Sequence, residues 1–120
     1  MRTIVIVDDN AGFRAQARAM LEAEGYLVVG EAENGRSGVE LCRALKPEVA
    51  LVDIGLPDAD GFDVTDALHR DAPNAAPMVV LTSSRDASAY RLRMRRTHAR
   101  GFIAKDELSG AAIDALAPRS

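Results

Sequence analysis

The chain has 120 residues, 18 acidic and 15 basic side chains, a net charge of −3 and a hydrophobic fraction of 48%. These values suit one domain with its own core and exclude two ordinary domains, a disordered chain and a collagen-like repeat. Mild acidity argues against a generic nucleic-acid coat protein. Cys42 is the single cysteine, so neither an internal disulfide nor a cysteine-based zinc site can form. No apolar run approaches the roughly twenty residues that span a bilayer. The apolar stretch before Asp8-Asp9 is too short for a signal-peptide core, so a cytoplasmic protein is expected and no membrane partner.

Short apolar runs alternate with amphipathic segments. Residues 4–7 form a β-branched run that predicts a strand buried on both faces. Asn10 caps a helix over about 11–24 with a stripe of Phe13, Ala17, Met20 and Leu21, and Gly25 follows as its C-terminal glycine. A second strand is expected at 27–30. Asn34-Gly35 makes a turn before a helix at about 37–45, whose inner face is Val39, Cys42 and Leu45 and which Lys46-Pro47 stops. Val49 to Asp53 reads as a third buried strand, followed by a loop with Gly55, Pro57 and Gly61. A helix over 62–70 buries Val64, Ala67 and Leu68. A fourth strand covers 78–81 and leads into Thr82-Ser83-Ser84. An arginine-rich helix is predicted over 86–97, a fifth strand over 101–104 ending at Lys105, and a last helix over 108–117. The pattern is (βα)5 in one α/β domain: a doubly wound parallel five-stranded sheet with helices on both faces.

The chemically informative residues all follow strands. Asp8 and Asp9 follow the first, Asp53 ends the third, Thr82 the fourth and Lys105 the fifth. In an open parallel α/β sheet, ligands bind beyond the carboxyl ends of the strands. Two like charges about 4 Å apart repel by about 4 kcal/mol at an effective dielectric of 20. Three converging carboxylates therefore call for a hard divalent cation, and Mg2+ suits a site with few carboxylates and several waters. A carboxylate beside such an ion can attack a phosphoryl group, with Lys105 neutralising and Thr82 hydrogen-bonding its oxygens.

Five motifs in order carry a family resemblance: Val7-Asp8-Asp9-Asn10, Leu51-Val52-Asp53-Ile54-Gly55-Leu56-Pro57, Asp60-Gly61-Phe62, Val80-Leu81-Thr82-Ser83 and Gly101-Phe102-Ile103-Ala104-Lys105. Together they resemble the receiver domain of bacterial two-component response regulators over nearly the whole chain, so residues 1–120 are taken as one receiver domain. The resemblance implies a flavodoxin-like, CheY-like sheet of strand order 2-1-3-4-5. It implies Asp53 as acceptor of a phosphoryl group from a histidine kinase or phosphotransfer protein. Asp9 would be a direct Mg2+ ligand, Asp8 would act largely through water, and Asp53 and the Gly55 carbonyl would complete the metal set. Thr82 and Lys105 would hold the phosphoryl oxygens. Thr82 and Phe102 match the switch pair that reshapes the face of the fourth helix, fifth strand and fifth helix.

Lys105-Asp106-Glu107-Leu108 with Ala99-Arg100-Gly101-Phe102 is similar to receivers of the NarL/FixJ class, which join a helix-turn-helix domain. That implies control of an output such as transcription and a homodimer on phosphorylation. No such DNA-binding domain follows here, so the chain reads either as a stand-alone receiver or as a truncated one. Direct nucleic-acid binding by the receiver is not expected.

Thr97-His98-Ala99 departs from the class pattern before the fifth strand, and the preceding helix carries Arg91, Arg93, Arg95 and Arg96, with Arg100 beyond. Such arginines usually make a solvated surface; an interface with an acidic partner, a sister subunit or a nucleic acid is the other reading, with Arg91, Arg95, Arg96 and Arg100 as its candidates. His69 and His98 read as surface residues and Cys42 as a small core residue.

Taken singly, each site residue has a bland reading as a turn, cap or surface group. A haloacid-dehalogenase-type phosphatase also uses a strand-end aspartate, but it needs a second acid where Gly55 stands. No turnover of an external substrate is therefore expected. The remaining alternative is a phosphorylation-independent interaction module on the receiver fold.

Overall fold

Five runs rich in Val, Ile and Leu form the strands β1 (Arg2–Val7), β2 (Tyr26–Ala32), β3 (Val49–Asp53), β4 (Met78–Ser83) and β5 (Gly101–Ala104). In the computed structural model, which describes residues 1–119, they pair in parallel in the order β2-β1-β3-β4-β5, as expected. The helices are α1 (Ala11–Ala23), α2 (Gly35–Leu45), α3 (Gly61–Asp71), α4 (Arg91–Met94) and α5 (Gly110–Leu116).

Alternation along β1 serves two cores. Ile4 and Ile6 pack with Ala17 and Leu21 of α1 and Ile113 of α5. Val5 and Val7 pack on the other face with Cys42 of α2 and with Val64 and Leu68 of α3. All four residues are fully buried, as are Val49 to Val52 of β3. Each such Val, Leu or Ile contributes about 1.5–3 kcal/mol relative to exposure.

The helix starts have definite partners. Asn10 accepts from the Phe13 amide at 3.0 Å and Asn34 from the Ser37 amide at 2.8 Å. Asp60 and Asp63 form a reciprocal capping box at the start of α3, and Ser109 caps α5. After α1, Gly25 takes φ +93°, which a residue with a side chain rarely adopts.

Several boundaries differ from the sequence expectation. β2 extends to residues 26–32, because it follows β1 past a one-residue shift in register between Val28 and Gly30. α2 begins at Gly35, directly after its cap, and Leu45 at its end is 44% exposed rather than inward. α5 starts only at Gly110, since residues 105–107 make a separate 3-10 turn.

The largest correction concerns the arginine-rich helix. The expected helix over 86–97 is a 3-10 turn at Ala87–Tyr90 followed by the four-residue α4. No residue of either piece is buried, and Leu92 is 71% exposed. A short helix without a buried face is marginal, and like charges one turn apart, Arg91 and Arg95, add repulsion. The arginines therefore do not sit on one helix: Arg95 and Arg96 lie in the turn after α4, and Arg100 precedes β5.

Arg2 was not singled out by sequence and is 1% exposed. Its guanidinium donates to the Ala117 carbonyl at 2.6 Å and to Asp114 at 3.2 Å, tying β1 to the end of α5. Asp114 also accepts from the Tyr26 hydroxyl. Burial and that carboxylate push the Tyr26 hydroxyl up to about 12. Removing one partner of a buried ion pair leaves groups unsatisfied. Arg2→Ala is expected to cost about 3 kcal/mol in urea unfolding, whereas Arg36→Ala, which loses only an exposed pair with Glu40, should change stability by less than about 0.5 kcal/mol.

Acid stability follows from the other pairs. Glu31 is held low by its hydrogen bond from Arg18, against some burial and with help from Arg14. Asp114 is held low by the Tyr26 hydroxyl and Arg2. Depressed carboxylates contribute stability that is present above their unfolded values, near pH 4, and lost as pH falls through the folded ones. The melting temperature is expected to hold between about pH 7 and 5 and to fall below about pH 4; calorimetry across that range checks it.

Candidate functional site

Strand register assembles the site. Val7 pairs with Val52, so Asp8 emerges beside Asp53. Asp53 pairs with Thr82, and Thr82 with Ile103. Ser83 pairs with Ala104, which places Lys105 one residue beyond the sheet edge. Four residues distant in sequence, Asp8, Asp53, Thr82 and Lys105, are thus brought to one end of the sheet by hydrogen-bonded ladders.

Asp8, Asp9 and Asp53 each offer a carboxylate oxygen within 4.8 Å of the others. Asp8 and Asp53 are buried and Asp9 is exposed. Asp8 Oδ1 accepts from the Asn10 amide at 2.8 Å. Its other oxygen, Oδ2, is buried and has no hydrogen bond. Lys105 Nζ lies 2.7 Å from that oxygen, close enough for charge compensation but off hydrogen-bonding alignment. Lys105 is also 3.6 Å from Asp53 and sits 4.5 Å from the centre of the Phe13 ring. Burial raises the Asp53 carboxyl above the usual range, and the Asp8 charge pushes the same way. Lys105 and the Gly55 amide pull it down without offsetting them.

The donor set fits a hard divalent cation: three carboxylates, one with a buried oxygen that lacks a hydrogen bond. The loop after β3 is held in place around them. The Ile54 amide donates to the Thr82 carbonyl at 2.9 Å, and Gly55 bridges to Asp60. Gly61 is required at the loop's end, since a Cβ there would meet the Asp53 carbonyl oxygen at 2.9 Å. Asp58, not singled out by sequence, accepts from the Gly35 and Arg36 amides at 2.7 and 3.0 Å, and these bonds hold its carboxyl low. It fastens the loop to the start of α2. An aspartate in a Pro-Asp-Ala-Asp loop gives no signal of that distant partner.

Thr82 is buried, and its hydroxyl donates to the Ile103 carbonyl at 2.7 Å, across to β5. Phe102 is half-buried, with its ring 6.0 Å from that of Tyr90. Tyr90 also lies 6.1 Å from Phe62, and its hydroxyl is 3.3 Å from Ser83 Oγ. Sequence reading missed Tyr90, although it is the one aromatic residue in the arginine-rich stretch.

Arg91, Arg95, Arg96 and Arg100 are exposed, and among the described residues none pairs with a site carboxylate. Arg93 reaches Asp60 at 2.6 Å and covers the Phe62 ring at 4.3 Å. His69 and His98, read as surface residues, stack with ring centres 3.6 Å apart. The Cys42 thiol is buried and pushed up to about 12 by desolvation, which leaves it inert.

A CheY-like α/β sheet with an acidic cluster at its carboxyl edge defines a signalling class. The sequence profile of the response regulator receiver domain matches residues 4–117, and the chain belongs to that family. It is 38% identical over 105 residues to protein PilH of Pseudomonas aeruginosa, covering 88% of this chain and 86% of PilH. The transcription regulator BvgA of Bordetella pertussis is 31% identical over 87% of this chain, which spans 49% of BvgA's length. The solved receiver domain of the response regulator NarL from Mycobacterium tuberculosis superposes with a TM-score of 0.83 at 33% identity, covering 98% of both chains.

The carboxylate cluster opposes folding. Asp53→Asn removes one buried like charge and is expected to stabilise the protein by about 1 kcal/mol in urea unfolding, or about 4 °C in melting temperature. A destabilised variant would show that Lys105 already overcompensates the repulsion.

Proposed function

We propose that this receiver domain accepts a phosphoryl group on Asp53 in a Mg2+-dependent reaction. The observation that supports this best is the cluster of Asp8, Asp9 and Asp53, two of which, Asp8 and Asp53, meet Lys105, with Thr82 paired to Asp53 on the next strand. Mg2+, when bound, would neutralise charge on the phosphoryl oxygens; Asp8, Asp9, Asp53 and the Gly55 carbonyl are the groups to hold it. The remaining work falls to the chain. An Asp53 oxygen attacks phosphorus in line while the bond to the donor breaks, and the electron pair leaves with the donor imidazole of a histidine kinase or phosphotransfer protein. Lys105 and the Thr82 hydroxyl stabilise the oxygens of the transferring group.

Reaching the phosphoryl group requires Thr82 to give up its bond to Ile103. That frees space against β5 and lets Phe102 turn inward, so modified and resting forms are two states of one fold. The half-buried Phe102 and the lightly held α4 segment support this reading. The altered face would then act on an output: a homodimer contact, or a DNA-binding domain in a transcription regulator. The domain turns over no external substrate on this reading and works in the cytoplasm. Residues 1–120 are one receiver unit.

Incubation with Mg2+ and acetyl phosphate, followed by intact mass, tests the proposal. A phosphate-sized gain is expected that requires Mg2+ and is absent in Asp53→Asn. Lys105→Ala should slow the gain by about 100-fold, the usual scale for one preorganised charge-stabilising group. No gain in folded, Mg2+-binding protein would overturn the proposal in favour of a phosphorylation-independent interaction module.

A further inference from the structure

The amino ends of the strands carry a second charged constellation, opposite to the carboxylate cluster. Arg2 opens β1, Lys46 lies in the turn from α2 to β3, Arg100 directly precedes β5, and Arg119 follows α5. All four line one cavity of about 730 Å3, and among the described residues Glu48 is the single carboxylate on its walls. A cavity of about 420 Å3 adjoins it, shares Ala76, Met78 and Arg100 with it, and is lined by His69, His98 and Asn74 and by no described carboxylate. In a chain of net charge −3 this groove is a local reversal of sign. Lys46, Arg100 and Arg119 are exposed and among the described residues have no carboxylate at ion-pair distance.

Two further observations set the groove apart from ordinary surface. Lys46 takes φ +49° and is the one non-glycine residue with a positive φ among those described. A side chain is disfavoured there, glycine is the usual residue at such a helix end, and Pro47 restricts the position further. The dipole of α2 does not require this lysine, since Arg43 already stands in the last turn. The second observation concerns Arg2, whose side chain is 1% exposed while its Nε and Nη2 make no hydrogen bond. Those two nitrogens form the guanidinium edge that can meet an oxyanion with parallel N–H groups. Glu48 Oε2 stands 3.5 Å from Nε, at ion-pair distance but without a hydrogen bond.

We propose that this groove binds a small ligand carrying two or more linked phosphates, with Lys46, Arg100 and Arg119 on the phosphate oxygens and Arg2 as the buried charge that supports them. Each phosphate brings about −1.5 to −2 charge and several acceptor oxygens, so a linked pair matches three free cations within one cavity. Guanidinium groups meet phosphate bidentately, and lysine adds a point charge. The two cavities have the size of a small-molecule site. The adjoining arm, with the stacked imidazoles of His69 and His98 on its wall, suits a flat ring such as a nucleobase. A long nucleic acid fits less well, because the acidic remainder of the chain repels it beyond the groove.

Isothermal titration calorimetry tests the proposal with inorganic triphosphate as the probe, at neutral pH and low salt. EDTA withholds Mg2+, so the outcome is independent of the reaction at Asp53. Saturable binding is expected, weakened about tenfold or more by the double variant Arg100→Gln, Arg119→Gln. Lys46→Gly should weaken it about fivefold while holding or raising the melting temperature, because glycine adopts the left-handed backbone freely. A purely structural lysine would show no loss of binding. These side chains are exposed, and unchanged circular dichroism confirms the fold. ATP is the second arm. Tighter binding than triphosphate, with the gain lost in His98→Ala, assigns a nucleoside polyphosphate as the ligand; equal binding assigns the bare phosphate chain. Citrate binding as tightly as triphosphate would overturn the proposal in favour of a carboxylate site, and tighter binding of single-stranded poly-dT in favour of a nucleic-acid contact. Absence of saturation, or binding that the variants leave intact, would make the groove plain solvated surface.

Discussion

Mutual repulsion among Asp8, Asp9 and Asp53 is the constraint on which this molecule turns. Left alone in water, three carboxylates would separate; here their oxygens stay within 4.8 Å. They cannot separate because Asp8 and Asp53 continue from runs, Ile4 to Val7 and Val49 to Val52, that are fully buried. Moving either would drag β-branched residues out of two cores, at a cost well above the repulsion. The sheet is thus the spring against which the charge is held, and Lys105 is the partial counterweight. Under the proposed reaction, a bound cation or a transferred charged group would act on this stored opposition.

Stability is distributed unevenly around that site. On one side, the loop from Ile54 to Gly61 is pinned at many points: to β4, to α2 through Asp58, and to α3 through its own capping box. On the other side, the 3-10 turn and α4 bury no residue and rest on Tyr90, Met94 and Arg93. A rigid half and a loosely held half meet at Thr82 and Phe102. Low local stability is where conformational change is cheapest, and the segment beside Thr82 and Phe102 is the least buried part of the domain near the site.

Charge follows the same division. On the well-packed body five arginines are held in intramolecular pairs, some of which, such as Arg2 with Asp114, close the domain, while Arg70 and Arg119 are exposed and have no ion pair among the described residues. On the lightly held rim most arginines are left for solvent.

Much of this was legible in the chain. Hydrophobic runs leading into Asp8, Asp53, Thr82 and Lys105 located four of the five strands and the edge where those groups meet, because the interior of a strand buried on both faces is apolar. Asn10 and Asn34 marked helix starts, because capping is local chemistry. The tertiary structure alone decided what depended on distant partners. Arg2 looked like an ordinary N-terminal charge until the end of α5 enclosed it, and Asp58 found its amides on another helix. His69 and His98, far apart in sequence, became a stacked pair. The fourth helix shrank to four residues because nothing in the fold offered it a face to bury. Periodicity says which side of a segment could be inside; only the packed sheet decides whether an inside exists for it.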